Sequence, residues 1–344
     1  MKKNILWMMT GLALVSLIAA LAFTGCDNGS TSGGLADKAA LQTALTAANA
    51  AKNGTANSLY WVKTDDLTAF ETAITAAKTV YDNADADQAA VDSETNALGT
   101  ATSTFTAQKG SDGETNPVAA LTAIKNAKTG GLTAEVTIIV SGTINYSSGA
   151  TANGWLDISG SGAYPPIVLQ GTAGKGTLNA TGSSKGVLFI GNGNTVTLGA
   201  NLTLKGGSGS SGSGVSVNGF GSTFTMSGGT ISGNSANFGG GVSVGSDTTF
   251  TMTGGTISGN TSPGAGGGVY VNSAAIFNKT GGTIYGSDAG GGLANNVTID
   301  TYKGYAVFWA PSSGGNKKVD TTLGPTAAGN LSTANATDPL WATP

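Results

Sequence analysis

Few residues in this chain are equipped for chemistry. Over 344 residues there are 19 carboxylates, 16 basic side chains that are all lysine, no histidine, and one cysteine, Cys26. Hydrolysing a glycan takes two or three carboxylates held together as acid, base or nucleophile; eliminating across one takes a Lys or Arg base beside acidic calcium ligands. Between Gly206 and Asn278 the only charged side chain is Asp247. The remaining acids of the same region, Glu135, Asp157, Asp288, Asp300, Asp320 and Asp338, are scattered, and Asp288 and Asp300 come nearest to a pair. Asp247 follows Gly-Ser once and does not recur, so no calcium-binding nonapeptide repeat is present. Neither catalysis, nor a cofactor, nor a metal is expected. A formal net charge of −3 with no basic stripe argues against nucleic acid.

What the chain does supply is a repeat. Thr223-Phe-Thr-Met-Ser-Gly-Gly-Thr-Ile-Ser-Gly-Asn234 returns as Thr249-Phe-Thr-Met-Thr-Gly-Gly-Thr-Ile-Ser-Gly-Asn260, and in worn form as Phe277-Asn-Lys-Thr-Gly-Gly-Thr-Ile-Tyr-Gly286. Between the copies stand Gly239-Gly-Gly-Val-Ser-Val244 and Gly266-Gly-Gly-Val-Tyr-Val271. Alternating apolar residues mark strands with one buried face: Phe224 and Met226, Val242 and Val244, Phe250 and Met252, Val269 and Val271. Single units cannot bury that face, but stacked units can, with Phe224 over Phe250 and Ile231 over Ile257, and the column ending on Phe277 and Ile284. The fold expected is mainly β, a parallel β-helix of about 26-residue turns with three short strands in each. Asn234 and Asn260 fall one above the other and are placed to form an amide ladder. The Gly/Ser stretch 206–214 reads as a loop bulging from a corner.

Earlier strands are expected at 166–169, 186–190, 195–198 and 202–204, which gives roughly seven turns between 135 and about 310. Lys279 falls where Met226 and Met252 point inward. Burying an ammonium is costly, so either the strand slips by one residue there or the core is open. Tyr302–Trp309 and Asn316–Thr322 are placed to form a closing hairpin. Helical residues 118–128, with Leu121 and Ile124 on one face, read as a cap over the first open edge.

At the amino end, Lys2 and Lys3 precede an apolar run from Ile5 to Phe23-Thr24-Gly25-Cys26. The spacing predicts a secretory signal over 1–25. Cys26 and the small residues before it resemble a bacterial lipobox, although Phe23 stands where Leu is usual. That resemblance implies a lipid on Cys26, a flexible tether over 26–34, and attachment to a membrane. Ala20-Leu21-Ala22 as an ordinary cleavage site, or the apolar run retained as an anchor, are the competing readings; export follows from each.

Residues 35–109 change to Ala, Thr, Asp and Lys. Leu41, Leu45 and Ala48, then Leu67, Phe70, Ile74, Ala77 and Tyr81, then Val91, Leu98 and Phe105 recur at helical spacing and predict a three-helix module. Tyr60-Trp61 is an aromatic pair able to stack on a sugar or to anchor one helix on another. Lys109–Pro117 reads as a polar linker bounding the module, 118–330 as the β-helix with its caps, and 331–344 as an irregular tail.

The phrases Asp65-Asp-Leu-Thr-Ala-Phe-Glu-Thr-Ala-Ile-Thr-Ala-Ala-Lys78 and Asp85-Ala-Asp-Gln-Ala-Ala-Val-Asp92 resemble FIVAR-type modules of bacterial surface proteins, which implies a spacer or a sugar-binding accessory. The Gly-Gly-Gly-Val and Gly-Gly-Thr-Ile-Ser-Gly-Asn phrases resemble the repeats of right-handed β-helices with the pectin-lyase-like fold, among them polymorphic outer-membrane-protein families and spirochaete surface lipoproteins. The latter resemblance extends to Lys318-Val-Asp-Thr-Thr-Leu-Gly-Pro325, a closing segment. Together they imply a monomeric protein anchored in the outer membrane and facing outward. Its role would be adhesin-like, with Tyr270, Tyr285 and Phe238 as candidate contacts for a glycan or a host extracellular protein. A passive structural or antigenic coat is the alternative, and a polysaccharide-degrading enzyme a more distant one.

Overall fold

A computed structural model describes residues 35–146, 156–180, 186–211, 214–272, 274–286, 292, 295–297, 307–309 and 318–319. The expected leader, Cys26, the tether and the tail lie outside the described residues, as do Asp288, Asp300, Asp320 and Asp338. The chain divides into two compact units, one holding 35–49 and 69–107 of the described residues and the other 50–68 and everything from 108 onward.

Three helices run through the amino-terminal part: α1 (Ala39–Asn53), α2 (Thr64–Asp82) and α3 (Gln88–Gln108). Within the first unit most of the residues at helical spacing are buried, Leu41, Leu45 and Ala48 on α1, Phe70 and Ala77 on α2, and Val91, Leu98 and Phe105 on α3, while Ile74 and Tyr81 on α2 are half-buried. Phe70 stacks on Phe105 with ring centres 4.2 Å apart. Asp87 starts α3, its carboxylate accepting from Ala90 N at 2.7 Å, as an N-cap should.

The second unit begins with a strand that the helical spacing conceals. Ser58–Lys63 forms β1, flanked on one side by β2 (Gly110–Glu114) and on the other by β3 (Val136–Tyr146), both antiparallel to it. Backbone pairing thus replaces the linker expected at 110–117; a Gly/Ser/Asp stretch lacks apolar side chains, yet its peptide groups still complete a ladder. Six consecutive residues of β1 pair with 136–141, closing the first edge of the β-helix. Helix α4 (Pro117–Thr129), N-capped by the Asn116 side chain accepting from Val118 N at 3.0 Å, covers the same end of the core with Ala120, Leu121 and Ile124. The cap expected at 118–128 is therefore present, but it shares its task with β1.

From β3 the backbone winds into about five parallel turns at roughly 27-residue spacing, fewer than the seven expected. The turns at either end are longer than the repeat, with Leu188 32 residues after its partner Leu156 and Val307 38 after Val269, and at the start β3 and the strand Ile167–Ala180 run unbroken. In later turns a Gly-Gly corner cuts that strand in two, as between Thr223–Met226 and Thr230–Ser232. Gly255 shows why: its φ is +81°, and a Cβ there would collide with Gly228 O and meet Met226 Cε at 2.5 Å.

Stacking follows the expected phases. Thr223–Met226 pairs residue for residue with Thr249–Met252, Val196 and Leu198 sit below Phe224 and Met226, and Ile231 pairs with Ile257. Phe224, Phe250 and Phe277 form a continuous stack with ring centres 5.1 and 5.0 Å apart, each contact contributing about 0.5–1.5 kcal/mol beyond area burial. Met226, Met252, Val242, Val244, Val269, Val271, Ile231, Ile257 and Ile284 are fully buried around it.

Each regular turn carries four strands, not three. Ser235–Phe238 and Thr261–Ser262 build an extra sheet, and Ser208–Ser211 belongs to it, so part of the Gly/Ser stretch expected to bulge is paired backbone. At the corner leading into that sheet Asn234, Asn260 and Asn295, all buried, form the expected ladder with one more rung. Asn234 Nδ2 donates to Asn260 Oδ1 at 2.9 Å, and Asn260 Nδ2 to Asn295 Oδ1 at 3.1 Å. The second Nδ2 hydrogens reach carbonyls of Leu204, Ile231 and Ile257.

Lys279 neither slips nor opens the core. It pairs in register with Met252, is buried, and its Nζ donates to Gly282 O at 2.8 Å. Desolvation lowers its pKa to about 8. Beyond it, Val307–Trp309 pairs in parallel with Val269–Val271 and antiparallel with Lys318–Val319, the two strands of the expected closing hairpin.

Candidate binding groove

The seven-stranded sheet presents one outward residue per Val-x-Val strand, and the register places these in a single row along the turns. The row reads Asp157, Phe189, Ser216, Ser243, Tyr270, Phe308. At about 4.8 Å per strand, two small side chains in succession leave a trough between larger neighbours. Ser216 and Ser243 are its floor, Tyr270 its wall.

Tyr270 is half-buried and held by neighbours. Its ring lies 5.6 Å from that of Phe308, nearly parallel at 12°, and 5.2 Å from that of Phe238, tilted at 51°. Burial pushes the Tyr270 phenol up from its ordinary pKa, so it stays protonated and remains a hydrogen-bond donor at neutral pH. Phe238 arrives from the adjacent sheet, where it pairs with Ser211, and keeps 42 % of its surface exposed. The turn Gly239-Gly-Gly241 lets it fold over the trough: Gly241 packs so closely that an added Cβ would meet Gly268 O at 2.5 Å.

A second column runs beside the floor. Asn218, Gly245 and Asn272 follow Val217, Val244 and Val271, with Gly245 N donating to Val217 O and Asn272 N to Val244 O. The groove so enclosed is about 320 Å³ and is lined by hydroxyls, amides and the two aromatic rings. Asp247 stands exposed at a corner and is not part of the lining.

Of the three side chains singled out in the sequence, the structure brings Tyr270 and Phe238 together. Tyr285 stands apart. It follows Thr283–Ile284 in another sheet, where its carbonyl accepts from Asn295 Nδ2 at 2.7 Å. Sequence reasoning missed Ser216, Asn218, Ser243 and Asn272. The signal for Ser243 was present, since it fills the same place in Val-x-Val as Tyr270.

The Tyr60-Trp61 pair is not open to a sugar, nor does it join helices. Tyr60 is buried in β1, donating its hydroxyl to Lys52 O at 2.5 Å with Lys109 Nζ 4.3 Å above its ring. Trp61 packs on the core of the β-helix beneath Gly110, and its Nε1 is buried with no hydrogen-bond partner among the described residues.

Among the described residues no three of His, Cys, Asp and Glu come together as a metal site, and no helix is long and apolar enough to cross a membrane. No family model, no curated protein and no solved structure matches the chain.

Proposed function

We propose that this protein is a non-catalytic, adhesin-like interaction module, exported and held at the outer membrane by a lipid on Cys26, that binds a glycan or a host extracellular protein. The observation that carries the binding role is the groove at Tyr270 and Phe238, an aromatic corner beside small polar residues on a floor of paired strands. A floor fixed by backbone ladders loses little freedom when a ligand arrives, which favours binding. The repeat-like turns present the groove on a rigid support, and the helical module serves as a spacer.

Two experiments test the two halves of this reading. Labelling cells with a palmitate analogue should mark the wild type and leave Cys26→Ala unmarked, and protease added to intact cells should remove the protein. Label independent of Cys26, or resistance to shaving, would sink the outward lipoprotein. The full chain should also bind members of a panel of immobilised glycans and matrix proteins. Silence across the panel would favour the passive coat, a reading supported by the rows Thr195, Thr223, Thr249 and Thr197, Thr225, Thr251, which offer hydroxyls without an aromatic anchor.

A further inference from the structure

Building on that binding role, we propose that the groove over Ser216 and Ser243 is a subsite for an uncharged sugar chain lying along the row of turns, with Tyr270 and Phe238 as the apolar platform at one end. The lining selects the charge class first. No side chain in it is ionised at neutral pH, so an anionic chain finds no cation and a cationic ligand no carboxylate. Serine hydroxyls, asparagine amides and the protonated phenol each donate, and most also accept, which matches ligands whose own hydroxyls do both.

Size selects next. A groove of about 320 Å³ sits at the small end of the range for bound small molecules. A folded partner would need a contact on the order of 1,000 Å² with an apolar centre. The platform supplies the remaining affinity. One face of Tyr270 is occupied by Phe308, and the tilted Phe238 leaves an aromatic corner against which the C–H face of a sugar ring can lie.

The floor also repeats. Ser216 and Ser243 stand one turn apart, about 4.8 Å, and Asn218 and Asn272 two turns apart, about 10 Å, with the Asn218 side chain lying close to Gly245 between them. Identical groups at fixed intervals along one direction fit a ligand that repeats in that direction. Few ligands other than a polymer do so.

The test is native affinity electrophoresis of the full-length chain in gels containing β-glucan, mannan or arabinogalactan, with heparin and hyaluronan as charged counterparts. At least one neutral polymer should retard the wild type, and Tyr270→Ala should weaken that retardation roughly tenfold, as loss of one aromatic platform would. Phe238→Ala keeps the test valid if Tyr270→Ala melts, because Phe238 keeps 42 % of its surface exposed and lies outside the core cluster; it should weaken binding as well. Tyr285→Ala should bind like the wild type. Retardation by charged polymers alone, or by neutral polymers with Tyr270→Ala and Phe238→Ala unaffected, overturns the subsite. Binding to matrix proteins with no polysaccharide retardation overturns the sugar assignment while leaving the interaction role intact.

Discussion

Met252 and Lys279 occupy one register position in successive turns, yet one is a core residue of the expected kind and the other an ammonium with its Nζ on Gly282 O. At the opposite end of the β-helix the first turn is closed by backbone. There β3 is covered by six consecutive residues of β1, and Leu59, Leu121 and Ile124 seal the column. The contrast teaches that apolar side chains are not what every turn needs most. Lys279 lies on the last strand of its sheet among the described residues, paired along one edge only with Thr249–Met252, and its awkward side chain is satisfied by the Gly282 carbonyl. At the first turn the bare edge is satisfied by another strand.

The largest effect should come from removing the first cap. A fragment of 117–344 lacks β1 and leaves the edge of β3 unpaired, so it should self-associate or fail to fold, whereas 35–344 should elute as a monomer in size-exclusion chromatography. A well-folded, monomeric 117–344 would break the comparison. Next comes the interior. Asn260→Ala removes the middle rung of the ladder, stranding groups on Asn234 and Asn295 that are buried; with each such group costing about 1–3 kcal/mol, a loss of about 3 kcal/mol should appear in the denaturant midpoint.

Lys279 should give the smallest effect and the sharpest one. Its folded pKa, about 8, lies below the ordinary 10.5, so between these values the unfolded chain holds more protons. Stability should therefore rise as pH goes from about 8 to 10.5, and the full penalty should apply below pH 8. Lys279→Met should be more stable than the wild type at pH 7 by about 2 kcal/mol and should lack this rise. Equal pH profiles for the two proteins would mean that the amine is solvated in the folded state.

Most of the regular β-helix was legible. Phe, Met, Ile and Val recur at a fixed phase from 223 to 284, and stacking such a phrase on itself leaves little choice of register. The helices of the first unit were legible for a similar reason. What escaped has a common cause, because each missed strand is held by backbone pairing rather than by alternation. Ser208–Ser211 and Gly110–Glu114 carry no apolar pattern, and Ser58–Lys63 holds an unbroken run, Leu59-Tyr-Trp-Val62, with no alternation and sits between two Ala-rich helices. Asn295 escaped because it lies 35 residues beyond Asn260, outside the repeat spacing. The groove was half legible: Tyr270 and Phe238 were visible as aromatic residues on polar faces, but their meeting depends on a sheet that the sequence did not reveal.

Strand β1 has one more consequence, which concerns chain connectivity. Its partners lie 73 to 83 residues away, from Lys63 with Val136 to Ser58 with Ser141, whereas successive turns are joined across 26 or 27. Because the entropy of closing a loop grows only with the logarithm of its length, tripling the span adds only about 1 kcal/mol. The gap between β1 and β2 can therefore carry a helical unit of its own at little thermodynamic expense. In that sense residues 69–107 are inserted in sequence between two parts of the β-helical unit, while 35–49 of the same helical unit precede it.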